Sequence, residues 1–305
     1  MKLAETASES SAETPAGAPA GTAHRPRRSA SDVALLLFGL AVFVFLFLPI
    51  AYIVVFSFNT GRVLQVWDGF GVDSYVRLTT NDTLRQTMWV SIRAGIGAAA
   101  IASVLGSLAG VALARRPGRW APAFVALLAL VLVTPEIVDA VALLPWFVTL
   151  GADRGLTLFS DGLVRLIVGH SLFATAVVTF IVRARMQGID ESLEEAAADL
   201  YAPPWRRFTQ ITLPLMLPAV LAGALISFTL SLDNTIVSAF VQVSGSTPWP
   251  VYVLSALRST LRPEIAAMST VMLLLTLVSL GLGALVLSRS GDSASGVVKT
   301  MGGGG

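Results

Sequence analysis

Glu194-Glu195-Ala196-Ala197-Ala198-Asp199-Leu200-Tyr201-Ala202-Pro203-Pro204-Trp205-Arg206-Arg207-Phe208-Thr209-Gln210-Ile211-Thr212-Leu213-Pro214 is a polar, charged stretch set between two long apolar runs. Asp190 or Ser192 can cap a helix running to about Tyr201, and Glu195, three residues after Ser192, fits a capping box. Ala196, Ala197 and Ala198 favour helix and leave a shallow surface. Pro203-Pro204 stops that helix and turns the chain. Residues 205–210 are expected to form a second short helix, with Pro204 as its first residue. Leu213-Pro214 then opens the next apolar run. The expected product is a stiff helix–turn–helix elbow that a membrane protein presents to a soluble partner.

Composition agrees that the rest of the chain lies in a bilayer. Hydrophobic residues make up 54% and charged residues 13%, against about 25% charge in a soluble domain. Mean hydropathy is +0.75. Without Cys there is no disulfide framework and no thiolate ligand or nucleophile. The lysines are Lys2 and Lys299, both in the tails, so no phosphate-binding Gly-Lys-Ser/Thr loop can sit inside a fold. The histidines, His24 and His170, make no metal cluster. No serine stands in a nucleophile-elbow pattern, so no catalytic residue and no cofactor of its own is expected. A net charge of +2 is no nucleic-acid signature.

Six runs are long enough to span: 33–56, one within 84–114, 121–150, 162–182, 213–243 and 265–287. The first would extend roughly 36 Å as helix. The second is rich in Gly, Ala and Ser, which lets a neighbouring helix approach closely. The third is interrupted at Thr134-Pro135. The fold class expected is therefore all-α, a polytopic membrane protein of six transmembrane helices; the cytoplasmic coupling helix that completes it is what the family resemblance given below implies. The domains expected are a disordered tail over 1–31, a membrane domain over 32–288 with its polar loop at 183–212, and a polar tail over 289–305. Arg27-Arg28 reads as a basic flank to the first span in preference to a twin-arginine export signal, given the length and number of the runs that follow.

With the N-terminus inside, the inner segments hold Arg25, Arg27, Arg28, Arg115, Arg116, Arg119, Arg183, Arg185, Arg206, Arg207 and Arg289. The outer loops carry fewer arginines, interspersed with Asp68, Asp73, Asp82 and Asp153. This positive-inside asymmetry puts both termini and the elbow in the cytoplasm.

Glu136, Asp139 and Asp233 fall near mid-span on the third and fifth runs. An ionised carboxylate there costs about 3 kcal/mol on insertion scales, so each needs a partner or water. Two readings stand for Glu136 and Asp139. They line a path for a cationic solute, or they begin a helix with Thr134 as cap, Pro135 first and Glu136 second. Asp233, beside Asn234, is read as path-lining. Trp146 and Trp249 either stack on an amine or anchor at the interface. Arg93 and Arg165 are expected to pair with acids or lie near the outer interface. His170 is read as a packed, hydrogen-bonded residue in preference to a proton relay.

Glu195-Ala196-Ala197, then Tyr201, then Ile211-x-Leu213-Pro214 has the spacing of the EAA loop of ABC importer permeases, with Tyr201 where that family has Gly. Ser57-Phe58-Asn59, the segment Thr134-Pro135-Glu136-Ile137-Val138 and the segment Ser227-Phe228-Thr229-Leu230-Ser231-Leu232-Asp233-Asn234 resemble motifs of the spermidine/putrescine importer subfamily. The resemblance implies a type I importer half-channel in a bacterial plasma membrane. It implies a second, homologous permease in a heterodimer, a dimer of ATPase subunits carrying the ATP and Mg, and an extracytoplasmic substrate-binding protein. It assigns ATPase coupling to Glu194, Glu195, Ala196, Ala197, Asp199, Tyr201, Ile211, Leu213 and Pro214; the candidates for a substrate path, Glu136, Asp139, Trp146, Asp233 and Asn234, come from the polar and aromatic residues in and near the spans. Relatives carry other amines, opines, phosphonates, thiamine or ferric ion. The rival from another class is an ion- or proton-coupled secondary transporter using Glu136, Asp139, His170 and Asp233. A membrane-embedded enzyme lacks any metal or nucleophile constellation.

Overall fold

The computed structural model describes residues 30–258 and 262–289. The tails expected over 1–31 and 289–305 fall outside these residues, apart from 30–31 and 289, as do His24, Arg25, Arg27, Arg28, Lys2 and Lys299. The chain divides into two contact units, Met1–Pro49 and Ile50–Gly305. Helix α1, Ala30–Phe56, contains Pro49, whose missing N–H removes one helix hydrogen bond at that boundary. Within the first unit, Phe43 stacks on Phe47 with ring centroids 4.3 Å apart.

The second unit holds the remaining helices: α2 Asp73–Thr80, α3 Asp82–Arg115, α4 Ala121–Val133, α5 Glu136–Val148, α6 Gly162–Gln187, α7 Ser192–Asp199, α8 Pro204–Arg207, α9 Leu213–Asp233, α10 Ile236–Val241, α11 Trp249–Ala256 and α12 Pro263–Arg289. Among the described residues, five helical segments are long and apolar enough to cross a membrane, and α4 with α5 makes a sixth if that bent pair is one span.

The centre of the unit is α3 packed along α6, with α9 against both. The small residues expected to permit close approach do so. A Cβ on Gly106 would lie 2.7 Å from the Val178 Cβ, and one on Gly110 would lie 2.9 Å from the Thr179 carbonyl oxygen. At Gly110 the obstacle is backbone, which cannot turn aside. Gly110→Ala is therefore expected to destabilise the fold by about 1–3 kcal/mol, the usual range for overpacking. Thermal unfolding in detergent would show it, and an unchanged midpoint would count against this close packing.

The Ser57-Phe58-Asn59 segment organises the loop after α1. Asn59 is fully buried. Its Oδ1 accepts from the backbone N–H groups of Gly61 and Asp68 at 3.1 and 3.0 Å, and its Nδ2 donates to the Val66 carbonyl at 2.6 Å. Phe58 stacks on Phe70. Arg77 on α2 reaches Glu264 on α12 at 2.8 Å.

Two of the expected runs are not continuous helices. The run at 121–150 bends by 103° between α4 and α5. Thr134 donates its hydroxyl back to the Leu130 carbonyl at 2.8 Å, so it closes α4 and does not cap α5. Pro135 stands before α5, and Glu136 is its first residue. The run at 213–243 stops at Asp233 and restarts at Ile236. Asn234, at φ −68° and ψ 97°, leaves the helical region. Asp233, expected near mid-span, is therefore a helix end at a break. No proline marks this interruption, which is why the apolar pattern reads through it.

Candidate functional site

The elbow forms around α7 and α8. Asp190 supplies the cap: its Oδ1 accepts from the Ser192 N–H at 2.9 Å. The Ser192–Glu195 capping box does not form. Hydrogen bonds from Ser192 hold the Asp190 carboxyl below the usual carboxylate range, so this cap stays ionised at neutral pH.

The exit from α7 shows what the residue at 201 must do. Tyr201 N–H donates to the Ala198 carbonyl at 2.9 Å and Ala202 N–H to the Ala197 carbonyl at 3.0 Å. This paired closure is a Schellman motif, in which the residue after the C-cap takes a left-handed conformation favoured by Gly. Tyr201 sits there at φ 57°, the one non-Gly residue with positive φ among the described residues. A non-Gly residue in that region costs about 1 kcal/mol or somewhat more.

Pro203-Pro204 then reverses the chain, but the second arm is not a separate short helix. A continuous helical run extends over Pro204–Asp233, through a π-turn at Phe208–Thr212. Pro214 has no N–H, and its ring would crowd the Gln210 carbonyl. A π-turn immediately before it widens the helix where that crowding falls. The elbow's second arm and the membrane helix are thus one rod.

Arg115, at the end of α3, holds the elbow to the bundle. Its Nη1 donates to Glu191 Oε1 at 3.1 Å and to the Ile189 carbonyl at 3.2 Å. Its Nε forms an ion pair with Glu194 Oε1 at 3.3 Å. That same carboxylate oxygen accepts from the Thr212 hydroxyl at 2.9 Å. Glu194 therefore faces inward, joining α7 to α3 and to the root of α9. Glu195, Ala196 and Asp199 face out, and Ala197 is half-buried. Ile211 and Leu213 are also half-buried, and Leu213 packs on the core of Ala174, Val178, Val182 and Met216. Pro214 is exposed.

The second place of interest is a cavity of about 300 Å³ where the two interrupted helices meet α6. Glu136, Asp139, His170, Ser231, Asp233 and Asn234 contribute to its lining. Asn234 Nδ2 donates to Glu136 Oε1 at 2.5 Å, and Asn234 Oδ1 accepts from the Val237 N–H at 3.1 Å. One side chain so ties the start of α5 to the start of α10. His170 is buried, with Nδ1 2.6 Å from the Ser231 hydroxyl and Nε2 2.9 Å from the Ser238 hydroxyl. It brackets the α9–α10 break from α6, the packed and hydrogen-bonded role expected for it.

The carboxylates differ in what offsets their charge. Glu136 lies in the first turn of α5, at the positive end of the helix dipole, and has Asn234 as donor. Asp233 ends α9, where the dipole is negative and adds to the local negative potential. Neither Asp139 nor Asp233 has a side-chain hydrogen bond among the described residues. Asp233 also borders a second cavity, of about 390 Å³, with Thr235, Trp249, Ser269 and Met272. Trp146 lies ten residues along α5 from Glu136, about 15 Å as helix, and packs against Phe147 and Phe159 instead of lining either cavity. Arg165 donates to the Phe159 carbonyl at 2.5 Å, and Arg93 lies over the Trp89 ring at 6.0 Å, so neither is seen with an acid among the described residues. No cluster of three or more His, Asp or Glu suited to a metal occurs among the described residues.

Residues 102–290 match the model of the family described as "Binding-protein-dependent transport system inner membrane component". This chain belongs to that family. The permease is 36% identical over 255 residues to the putrescine transport system permease protein PotI of Escherichia coli (strain K12), covering 81% of this chain and 86% of that protein. It is 36% identical over 253 residues to the spermidine/putrescine transport system permease protein PotC of Haemophilus influenzae, covering 83% and 96%. Among solved structures, its fold is similar to a chain of a bacterial ABC transporter involved in the import of alginate. The TM-score is 0.59 at 16% identity, over 87% of this chain and 99% of the other. It is also similar to a chain of the MetNI methionine ABC transporter, with a TM-score of 0.56 at 17% identity, over 69% and 99%. The all-α, multi-pass permease fold and the role of transport subunit expected from the sequence are therefore those of its family.

Sequence reasoning missed Arg115, counted only as an inner-side charge, and the bracket made by Ser231 and Ser238. Neither has a local signal, because the partners are separated by 74 and 61 residues or more.

Proposed function

We propose that this permease is one half of the membrane channel of an ATP-driven importer of polyamines. The carrying observation is the cavity at the two helix breaks, where Glu136, Asp139 and Asp233 converge. Several carboxylates at one membrane-embedded point suit a solute with two or three ammonium groups, whose dehydration they help to offset. Interrupted helices at such a point are a recurring arrangement of transport sites. The putrescine and spermidine names carried by the relatives support the same solute class.

A second, homologous permease completes the channel. A dimer of ATPase subunits carries ATP and Mg, and an extracytoplasmic binding protein delivers the solute. The elbow meets the ATPase through the outward residues Glu195, Ala196, Asp199 and Tyr201, with Ala197 at its edge. Glu194, Ile211, Leu213 and Pro214 transmit the movement to the bundle. The arginine asymmetry supports a cytoplasmic elbow and cytoplasmic termini. Closure of the nucleotide-bound ATPases pushes α7, and the rod Pro204–Asp233 carries that push to the break at Asn234.

The test is uptake of radiolabelled putrescine and spermidine into vesicles holding the assembled complex. Uptake should require ATP on the elbow side and the binding protein on the other. Uptake driven by an ion gradient without ATP, or transport of no amine at all, would overturn the reading.

A further inference from the structure

We propose that the second cavity, between α9, α11 and α12, is a second station for the cationic solute. Asp233 and the ring of Trp249 hold one ammonium group there, and the amine chain lies along α12. The proposal rests on the reading of the permease as an amine importer and adds a binding site apart from the cavity at the helix breaks. Among the described residues, Asp233 is the one that lines both cavities, so a single carboxylate serves the two stations.

The hydroxyl groups of α12 separate by what they face. Thr270, Ser279 and Ser288 each donate to a carbonyl oxygen, at 2.9, 3.2 and 2.9 Å. Ser269 and Thr276 make no hydrogen bond among the described residues, and these two line the cavity. A helical hydroxyl can always return to a carbonyl one turn back, and leaving it without a partner away from water is unfavourable. The Asp233 carboxylate borders the same space, also without a side-chain hydrogen bond. Hydroxyl and carboxylate oxygens are acceptors, and an ammonium group supplies up to three donors.

Trp249 stands in the sequence as a stacking group or an interfacial anchor. It is 5% exposed, and an anchor needs contact with the headgroup region. Its ring lies against Tyr252, with centroids 5.7 Å apart, and it lines the cavity that Asp233 borders. An aromatic face attracts an ammonium ion, most strongly where both are out of water. Val253, Met272 and Leu273 add an apolar wall, which suits the methylene run between the ammonium groups of a di- or polyamine. A lipid acyl chain in the same space would leave the carboxylate and both hydroxyls unpaired.

The experiment measures uptake of putrescine and spermidine by the assembled complex in vesicles, beside thermal unfolding of each permease variant and its assembly with the partner permease. The double variant Ser269→Ala, Thr276→Val removes both hydroxyls. It should keep the thermal midpoint, because no partner within the fold is lost, and should slow spermidine uptake about tenfold at saturating binding protein. Ser269→Phe fills the cavity and should stop uptake with assembly intact. Trp249→Leu should lower uptake more than Trp249→Phe, which keeps an aromatic face; equal losses assign the ring to packing and overturn its part. Parental uptake in the double variant or in Ser269→Phe overturns the second station. Loss of assembly by a folded Ser269→Phe assigns the groove to the permease interface and also overturns it. Asp233→Asn separates the two readings. If it slows uptake while the double variant does not, only the second station fails; if the parent complex transports no amine, the importer reading fails with it.

Discussion

Arg115→Ala is expected to lower solute uptake about 5- to 30-fold while the ATPase subunits continue to hydrolyse ATP. The guanidinium is 13% exposed and bridges Glu191 and Glu194. Its removal leaves the Glu194 carboxylate, 29% exposed, with the Thr212 hydroxyl as its remaining partner. Breaking a fully buried pair costs about 3–5 kcal/mol. This pair is partly open to water, so about 1–2 kcal/mol is the appropriate scale. That is enough to shift a two-position equilibrium about 5- to 30-fold. The loss falls on the joint between α7 and α3, not on the core packing of α3, α6 and α9. Arg115→Lys should fall between the parent and the alanine variant, because an ammonium cannot serve both carboxylates with the fixed fork of a guanidinium. Uptake per ATP hydrolysed, measured in vesicles at matched protein level, is the reading. A parental ratio for Arg115→Ala would show that the push on α7 reaches the bundle by another route.

Asp233→Asn should slow uptake of a di- or tri-cation by tenfold or more with assembly intact. The substitution nearly keeps shape and removes the charge. An opposite charge at about 4 Å is worth about 4 kcal/mol at an effective dielectric of 20, an upper guide in a wet cavity. The dipole of α9 strengthens the attraction at this position, and no hydrogen bond within the described residues spends the carboxylate elsewhere. Glu136→Gln is expected to do less to uptake and more to stability. Its carboxylate is already engaged by Asn234 and by the start of α5. Radiolabelled uptake, beside thermal unfolding of both variants, would test the contrast. Parental uptake of every amine tested in Asp233→Asn would remove this residue from the path.

The amino-acid sequence by itself determined the class of the molecule, the number of spans to within one, and where along the chain the elbow lies. These rest on local physics: apolar length set against bilayer thickness, proline's missing N–H and alanine's helix preference. The Tyr201 anomaly was also legible, since a glycine position implies a backbone conformation, and the structure puts Tyr201 in that conformation. Tertiary structure alone decided which polar groups meet. Glu136 and Asn234 are 98 residues apart, Arg115 and Glu191 76, and His170 and Ser231 61. No periodicity links such pairs, because they meet only once α3, α5, α6, α7, α9 and α10 have packed. The break at Asn234 belongs with them. The polar residues Asp233-Asn234-Thr235 are too few to end the apolar run by pattern, and around that turn Asn234 is engaged by Glu136 and the Val237 N–H, and His170 by Ser231 and Ser238.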